Sequence, residues 1–378
     1  MNESEEFTIG VEEEYQIIDP DTKELCGKAE RVISYAKKNL EPEVIQAELY
    51  RSQVEIATTV CHSLSEVTQE LTRCRQEVID AASKSGQAIA AAGTHPFSDW
   101  REQTITPKKH YRNLEADFKQ IVRELIIFGN HVHIGLSDRN IALQVINRAR
   151  IWLPVLLALS ANSPFWLGRE TGYVSYRTQM WTRLPLTGQP QVFTDYQEYQ
   201  DLVDDLISSG VIDSPTTIYW DIRLSDKFPT IEFRVTDICL TVEEAVTITG
   251  LIRALVYTCY QEVVNNDPLI EVRPELLKAA HWNAARYGLT GNLIDLENKL
   301  AIPAKDLVNK FLAYLRLGLE QFDDWKTISA SVQKILEDGN GAQRQLAVYH
   351  QTGSLSDVVD YIVEQTKPKN FEKADNKE

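Results

Sequence analysis

The sequence predicts a single α+β domain over residues 1–366, followed by a short disordered tail at 367–378. Three observations predict it. Stretches with the period-two alternation of half-buried strands recur through the first 236 residues. Helical segments are interspersed among them, two opened by S/T-x-x-E capping signatures. The C-terminal third, 274–365, reads as helical throughout, and no repeat or low-complexity linker divides the chain.

The first strand spans 6–18, EFTIGVEEEYQII. Phe7, Ile9, Val11, Tyr15 and Ile17 fall on one face, and Thr8, Gly10, Glu12, Glu14 and Gln16 on the other. Glu13 breaks the apolar face. A second strand is expected over about 45–59, carrying Glu48 and Glu55. Ser63-x-x-Glu66 then opens a helix expected to run to about Ala92 and to be closed by Gly93. In 130–136, NHVHIGL, His131, His133 and Gly135 oppose Val132, Ile134 and Leu136. A helix over about 138–160 follows. Residues 161–194 hold aromatics, arginines and glycines without a clear period, and such a stretch inside a compact chain is usually functional. Short strands at 218–224 and 230–236 place Tyr219, Asp221 and Arg223 on one face, and Glu232, Arg234 and Thr236 on another. Thr241-x-x-Glu244 opens a helix to about Asn266, Pro274 suits a first helical position, and Gly288 suits a C-terminal stop.

The charge balance narrows the partners. With 39 Lys+Arg against 55 Asp+Glu the formal charge is −16, which argues against a nucleic-acid groove. Nucleotides stay allowed, because clustered carboxylates can hold Mg²⁺ and the metal can hold phosphates. The N-terminus MNESEEFTIG has no apolar leader core. The uncharged run between Arg150 and Arg169 approaches the roughly 18 residues of a membrane span, but Pro154, Asn162, Ser163 and Pro164 interrupt it, so a buried helix is expected. Cys26, Cys61, Cys74, Cys239 and Cys259 form no CxxC pair and are odd in number, as expected of reduced thiols in the cytoplasm.

Several strands therefore carry carboxylates, imidazoles or guanidinium groups on one face. Antiparallel strands commonly solvate one face, so each of these alone is compatible with simple exposure to water. Two glutamates one pleat apart repel when ionised, however, and a cation between them relieves that repulsion. Hard oxygen ligands with an occasional imidazole suit Mg²⁺ or Mn²⁺ better than zinc. Neither GxxxxGK[ST] nor GxGxxG is present, so any nucleotide has to be anchored by metals on a sheet.

Six blocks then occur in order: GVEEEYQIID, AELYRSQVEIAT, NHVHIGL, SANSPFW-x-GRETGYVSYR, WDIRLSDKFPTIEFRVTD and HWNAARYG. Together they resemble the type-2 glutamate–cysteine ligase family, the YbdK-type ATP-dependent carboxylate–amine ligases, over about residues 6 to 365. That resemblance implies a glutamine synthetase-like fold, in which a curved, largely antiparallel sheet forms a funnel with helices outside. It implies ATP and Mg²⁺ (or Mn²⁺) as cofactors, with metal ligands at Glu12, Glu14, Glu48, Glu55, His133 and Glu232. Glu13 is left out of that set, and His131 stands beside it without an implied role. Arg234 is implied to face the transferred phosphoryl group.

Substrate contacts are less sharply marked. Arg169 and Arg177 are candidate carboxylate clamps with Tyr173 as a wall, and Arg223 is a further carboxylate or phosphate candidate; surface or structural roles compete with each. The implied reaction activates an amino-acid carboxylate as an acyl phosphate and joins it to an amine, glutamate and L-cysteine being the family's namesake pair. A phosphotransferase acting on a guanidino or carboxylate acceptor is the alternative on such a fold. Small-molecule partners are expected, with no nucleic acid, no membrane and, by base rate, a homodimer.

Overall fold

The computed structural model describes residues 6–369. The N-terminal residues before Glu6, and the predicted tail from residue 370, lie outside the described residues. In chain order the elements begin with β1 (Ile9–Ile18), α1 (Ala29–Ala36), β2 (Ile45–Ala47), β3 (Gln53–Ala57), α2 (Leu64–Lys84) and β4 (Ala88–Ala90). They continue with α3 (Lys109–Phe118), α4 (Gln120–Arg123), β5 (Gly129–Gly135), α5 (Arg139–Ala149), α6 (Leu153–Ser160), β6 (Phe165–Trp166), β7 (Arg169–Glu170) and α7 (Tyr176–Trp181). Next come β8 (Thr187–Gly188), α8 (Tyr196–Ser208), β9 (Tyr219–Trp220), β10 (Ile222–Leu224), β11 (Thr230–Asp237), α9 (Val242–Val264) and α10 (Pro274–Tyr287). The chain closes with β12 (Asn292–Asp295), β13 (Leu300–Pro303), α11 (Ala304–Tyr314), α12 (Arg316–Gln321), α13 (Trp325–Asp338), α14 (Gly341–Thr352) and α15 (Leu355–Thr366).

A seven-stranded sheet in the order β10-β11-β5-β1-β3-β2, with β4 also on β1, organises the molecule, and its ladders are antiparallel. One face of each central strand is apolar and sealed: Ile9, Val11, Tyr15 and Ile17 on β1, Val132 and Ile134 on β5, and Ile231, Phe233 and Val235 on β11 are all at most 1% exposed. Against this side pack α2 on β1, α9 on β5 and α6 on β11. Helix α9 is buried nearly continuously from Val242 to Val256, so it is the central core helix rather than an amphipathic cover. The stretch Arg139–Ser160 is long and apolar enough to cross a bilayer, yet 83% of its apolar window is buried inside the protein. All five cysteines are free.

Four elements differ from the sequence expectation. The strand expected over 45–59 is a hairpin, β2 and β3, because the chain reverses at 48–52 and Gln53 N donates to Tyr50 O. The helix from Ser63 stops at Lys84. Gly86 takes φ +77°, and Ala88–Ala90 pairs with β1, so sheet contacts override the helix preference of that alanine-rich stretch. Its N-cap is half a capping box: Ser63 Oγ accepts from Glu66 N, while the Glu66 carboxylate accepts from His62 N. The helix expected over 138–160 is interrupted by a 3₁₀ turn at Arg150–Trp152, after which Pro154 sits in the first turn of α6. Finally, the helical third contains the β12–β13 hairpin. The Thr241/Glu244 capping box forms in full.

Candidate active site

The polar face of the sheet is built by register. β1 sets Glu12 opposite His131 and Gly10 opposite His133 on β5, while Glu14 faces Glu55 on β3. β11 sets Glu232 opposite His133, and β10 sets Arg223 opposite Glu232. Two groups of potential ligands result. Glu12, His131 and Glu232 bring one ligand atom each within 4.8 Å of one another, and Glu14, Glu48 and Glu55 do the same. Glu48 lies just beyond β2 and is held by the Tyr111 hydroxyl at 2.6 Å, while Glu55 accepts from Gln46 Nε2 at 2.6 Å.

The first group is electrostatically settled without a metal. Burial works to raise the Glu12 carboxyl, but the His131 hydrogen bond and the neighbouring His133 ring hold it well below the usual carboxylate range. Burial opposes the Glu232 charge too, and Arg234, Arg223 and His133 overcome it, so Glu232 is also held low. Burial and then Arg234 push His131 down to about 4, leaving a neutral imidazole with a lone pair to give. His133 has its Nδ1 at 3.0 Å from the Thr230 hydroxyl, and its Nε2 is 3.5 Å from Glu12 Oε1. That Nε2 is buried and, among the described residues, has no hydrogen-bond partner. An imidazole fixed at one nitrogen and orphaned at the other fits a metal ligand.

The second group is frustrated. Burial, followed by Glu48, pushes the Glu14 carboxyl up to about 7. Burial and then Glu12, Glu48 and Glu14 push Glu55 well up, and burial raises Glu48 against the Tyr111 hydrogen bond. Three carboxylates this close, with Glu55 buried and Glu14 and Glu48 half-buried, fit a divalent cation of the Mg²⁺ or Mn²⁺ kind. The coupling has a sign. Folded Glu14 titrates at about 7 against a reference of 4.5, so without metal the folded chain holds more protons across that interval and loses stability as pH rises through it. Glu12 and Glu232, held low, titrate below that interval. Mg²⁺ competes with those protons. The expected result is a Mg²⁺-induced rise in melting temperature that is larger at a pH above the Glu14 value than below it. Equal shifts on both sides, read by scanning calorimetry, would contradict the carboxylate assignment.

Arg234 stands beside both groups. It sits where the β11 register shifts between Phe233 and Thr236, with its backbone N–H donated to Asp221 O. Its guanidinium pairs with Glu232 and lies over the Trp181 ring at 5.6 Å, while Nε has no hydrogen-bond partner among the described residues. A cavity of about 190 Å³ contains Arg234, Glu14, Glu48, His131, Arg177 and Trp181 among its walls. A more apolar cavity of about 270 Å³ is walled by Glu12 and His133 of the same sheet face, with Val60 and Phe228.

The remaining predicted contacts divide. Arg177, on α7, reaches the Arg234 cavity and is 3% exposed. Arg223 does not face open space: Nε and Nη2 hold Glu232 at 2.8 and 3.2 Å, and Nη1 donates to Thr216 O and Ile218 O, so it braces a ligand. Arg169 is exposed on the β6–β7 hairpin. Tyr173 accepts from Trp282 Nε1 at 3.2 Å and faces Arg286. Neither Arg169 nor Tyr173 lines the Arg234 cavity. The residues the sequence did not mark are Tyr111, Trp181 and Asp237, together with a definite place for His131. Of these only Asp237 left a trace, as an acid in phase with Phe233 and Val235 on the apolar side of its strand.

An antiparallel sheet that gathers carboxylates, imidazoles and guanidinium groups beside two cavities suits the class of ligases that handle phosphates through metal ions. The family model described as glutamate–cysteine ligase family 2 matches residues 8–361, and the chain belongs to that family. A relative from Rhodopirellula baltica, named "Putative glutamate--cysteine ligase 2", is 40% identical over 365 residues, covering 96% of this chain and 97% of the relative. One of the same name from Solibacter usitatus is 41% identical over 361 residues, covering 96% and 94%. Among solved structures, glutamate–cysteine ligase from Francisella tularensis in complex with AMP superposes with a TM-score of 0.70 at 13% identity, covering 97% of this chain and 90% of that one. A bifunctional glutathione synthetase from Pasteurella multocida also gives 0.70, at 15% identity, over 96% of this chain and 51% of that one. The expected fold class is thereby found.

Proposed function

We propose that this carboxylate–amine ligase phosphorylates the γ-carboxylate of glutamate with ATP and joins it to L-cysteine, giving γ-glutamylcysteine, ADP and phosphate. The observation that carries the reading is the pair of ligand groups on one sheet face, with Arg234 lining the same cavity as Glu14, Glu48 and His131. A carboxylate does not acylate an amine directly, because the leaving group is oxide. Its oxygen attacks the γ-phosphorus of ATP and ADP departs. The amine nitrogen then attacks the acyl carbon, loses a proton, and the tetrahedral intermediate expels phosphate. Glu12, His131, His133 and Glu232 on one side, and Glu14, Glu48 and Glu55 on the other, would hold the metal ions. When bound, the metals supply neutralisation of phosphate charge. Arg234 presents a permanent guanidinium to the phosphoryl oxygens, kept charged by Glu232. The apolar ledge of Val60 and Phe228, both more than half exposed, suits the adenine ring. Arg177, in the Arg234 cavity, suits the α-carboxylate of glutamate.

The test is phosphate release from ATP and Mg²⁺ across a matrix of amino-acid carboxylates and amines, with mass spectrometry of products. Release that requires glutamate and cysteine together, matched by γ-glutamylcysteine, is the expected outcome. Release with another pair would replace the substrates and keep the chemistry. ADP with a stable phosphorylated acceptor and no amide would overturn the reading.

A further inference from the structure

We infer that Asp237 is a positioning residue that holds the Arg177 guanidinium open for a carboxylate of the acyl donor. This rests on the ligase reading above and adds the device that would select a donor bearing a second, unreacted carboxylate. Arg177 is nearly sealed from solvent, yet among the described residues its guanidinium makes one hydrogen bond, Nη2 to Arg234 O at 3.3 Å. Its Nε is buried with no hydrogen-bond partner among those residues. Its nearest ion partner is Asp237, whose Oδ1 lies 4.0 Å from Nη1. That distance supplies charge without closing a hydrogen bond, so most of the N–H donors remain free for a ligand.

The gap is built, and its builders come from the segment whose role the sequence leaves unassigned. Asp237 ends β11 with no exposure. Its Oδ2 accepts from Asn162 N at 2.8 Å and Ser163 Oγ at 2.6 Å, and its Oδ1 accepts from Ser175 Oγ at 2.8 Å. These donors occupy the carboxylate and keep it from moving onto Arg177 as a bidentate pair, which would spend the fork. Ser163 Oγ in turn accepts from Arg177 N at 3.1 Å, fixing the start of α7 to the same centre. Burial works against the Arg177 charge, and Asp237 is the foremost group that offsets it, ahead of Glu14. Two glycines make room. A Cβ on Gly129 would lie 2.5 Å from Arg177 Nη2, and one on Gly93 would lie 2.9 Å from Asp237 Cγ. Neither has a positive φ, so close approach rather than backbone freedom requires them.

The experiment compares glutamate with 4-aminobutyrate, which keeps the reacting carboxylate and lacks the other. Wild type and Asp237→Asn are assayed for amide formation with each donor, and glutamate binding is measured by calorimetry with Mg²⁺ and a non-hydrolysable ATP analogue. Asp237→Asn is expected to weaken glutamate binding and raise its KM by about tenfold or more, the size of a lost charged contact. Turnover, the KM for ATP and kcat/KM for 4-aminobutyrate should stay near wild type, so discrimination between the donors collapses. A uniform fall with both donors would mean that Asp237 serves stability alone and would overturn the inference. If Asp237→Asn does not fold, Ser175→Ala removes the Oδ1 bond and should shift the glutamate KM in the same direction; an unchanged ratio between donors would overturn it. A wild-type enzyme that ligates both donors equally well overturns the inference and leaves the ligase standing. Absence of amide with every donor and amine overturns the ligase reading itself.

Discussion

Arg234→Lys is expected to lower turnover by more than about tenfold while leaving the fold intact. The charge is retained opposite Glu232, so the buried pair on β11 still exists in the variant, and Trp181 still covers an alkyl stem and cation. What disappears is geometry. A guanidinium spans Glu232 with one nitrogen and leaves Nε and the other Nη for phosphoryl oxygens, whereas an ammonium on a flexible stem collapses onto the carboxylate beside it. The Arg234 side chain is only 13% exposed, and that low exposure strengthens the electrostatic difference between the two cations. Since the guanidinium acts on charge that develops during transfer, the loss should fall on kcat rather than on the KM for ATP. Single-turnover phosphate release separates the two. Wild-type turnover in Arg234→Lys would remove Arg234 from the phosphoryl-transfer step.

Much of the site was legible because strands write their faces into the sequence with period two. Glu12 and Glu14, His131 and His133, and Glu232 and Arg234 each share a face by that period, and the sheet register brings Glu12, His131, His133 and Glu232 together while Glu14 faces Glu55. What local patterning could not carry is contact between distant segments. Arg223 alternates correctly toward the site, yet its donors are taken by Glu232 and by carbonyls at 216 and 218. Arg169 belongs to a motif that looked like a clamp, but the tight β6–β7 hairpin turns it to solvent. The β2–β3 reversal was hidden because Leu49 and Tyr50 continue the apolar character of the flanking strands through the turn. Tyr111 is invisible in the same sense, since its partner Glu48 lies 63 residues earlier. The most informative signals were two acids out of phase. Glu13 and Asp237 each sit on the apolar side of a strand, and each proves to be the centre of a fully buried polar network.

Glu13 carries the second large effect. Glu13→Gln is expected to destabilise the protein by about 3–5 kcal/mol, the usual cost of leaving one member of a buried ion pair alone. Both side chains of the Glu13–Arg75 pair have zero exposure. Arg75 Nε donates to Glu13 Oε2 at 2.9 Å, the Tyr15 hydroxyl donates to the same carboxylate, and the guanidinium also reaches Cys239 O at 2.9 Å and Leu240 O at 3.1 Å. The network thus ties α2 and the β11–α9 connection to the back of β1, one residue from Glu12 and Glu14 on its other face. In the variant Arg75 stays protonated, with no counter-charge inside the core. Arg75→Met should cost a similar amount. The double variant Glu13→Gln/Arg75→Met should cost clearly less than the sum, because neither unpaired charge then remains; the carbonyls of Cys239 and Leu240, stripped of their donor, keep it above zero. Urea denaturation of the four proteins measures the coupling. Additive losses would mean that the two groups contribute only packing. A strong coupling should be accompanied by weaker Mg²⁺ binding in the single variants, since the strand that carries Glu12 and Glu14 then loses the bond that fixes its pleat against the core.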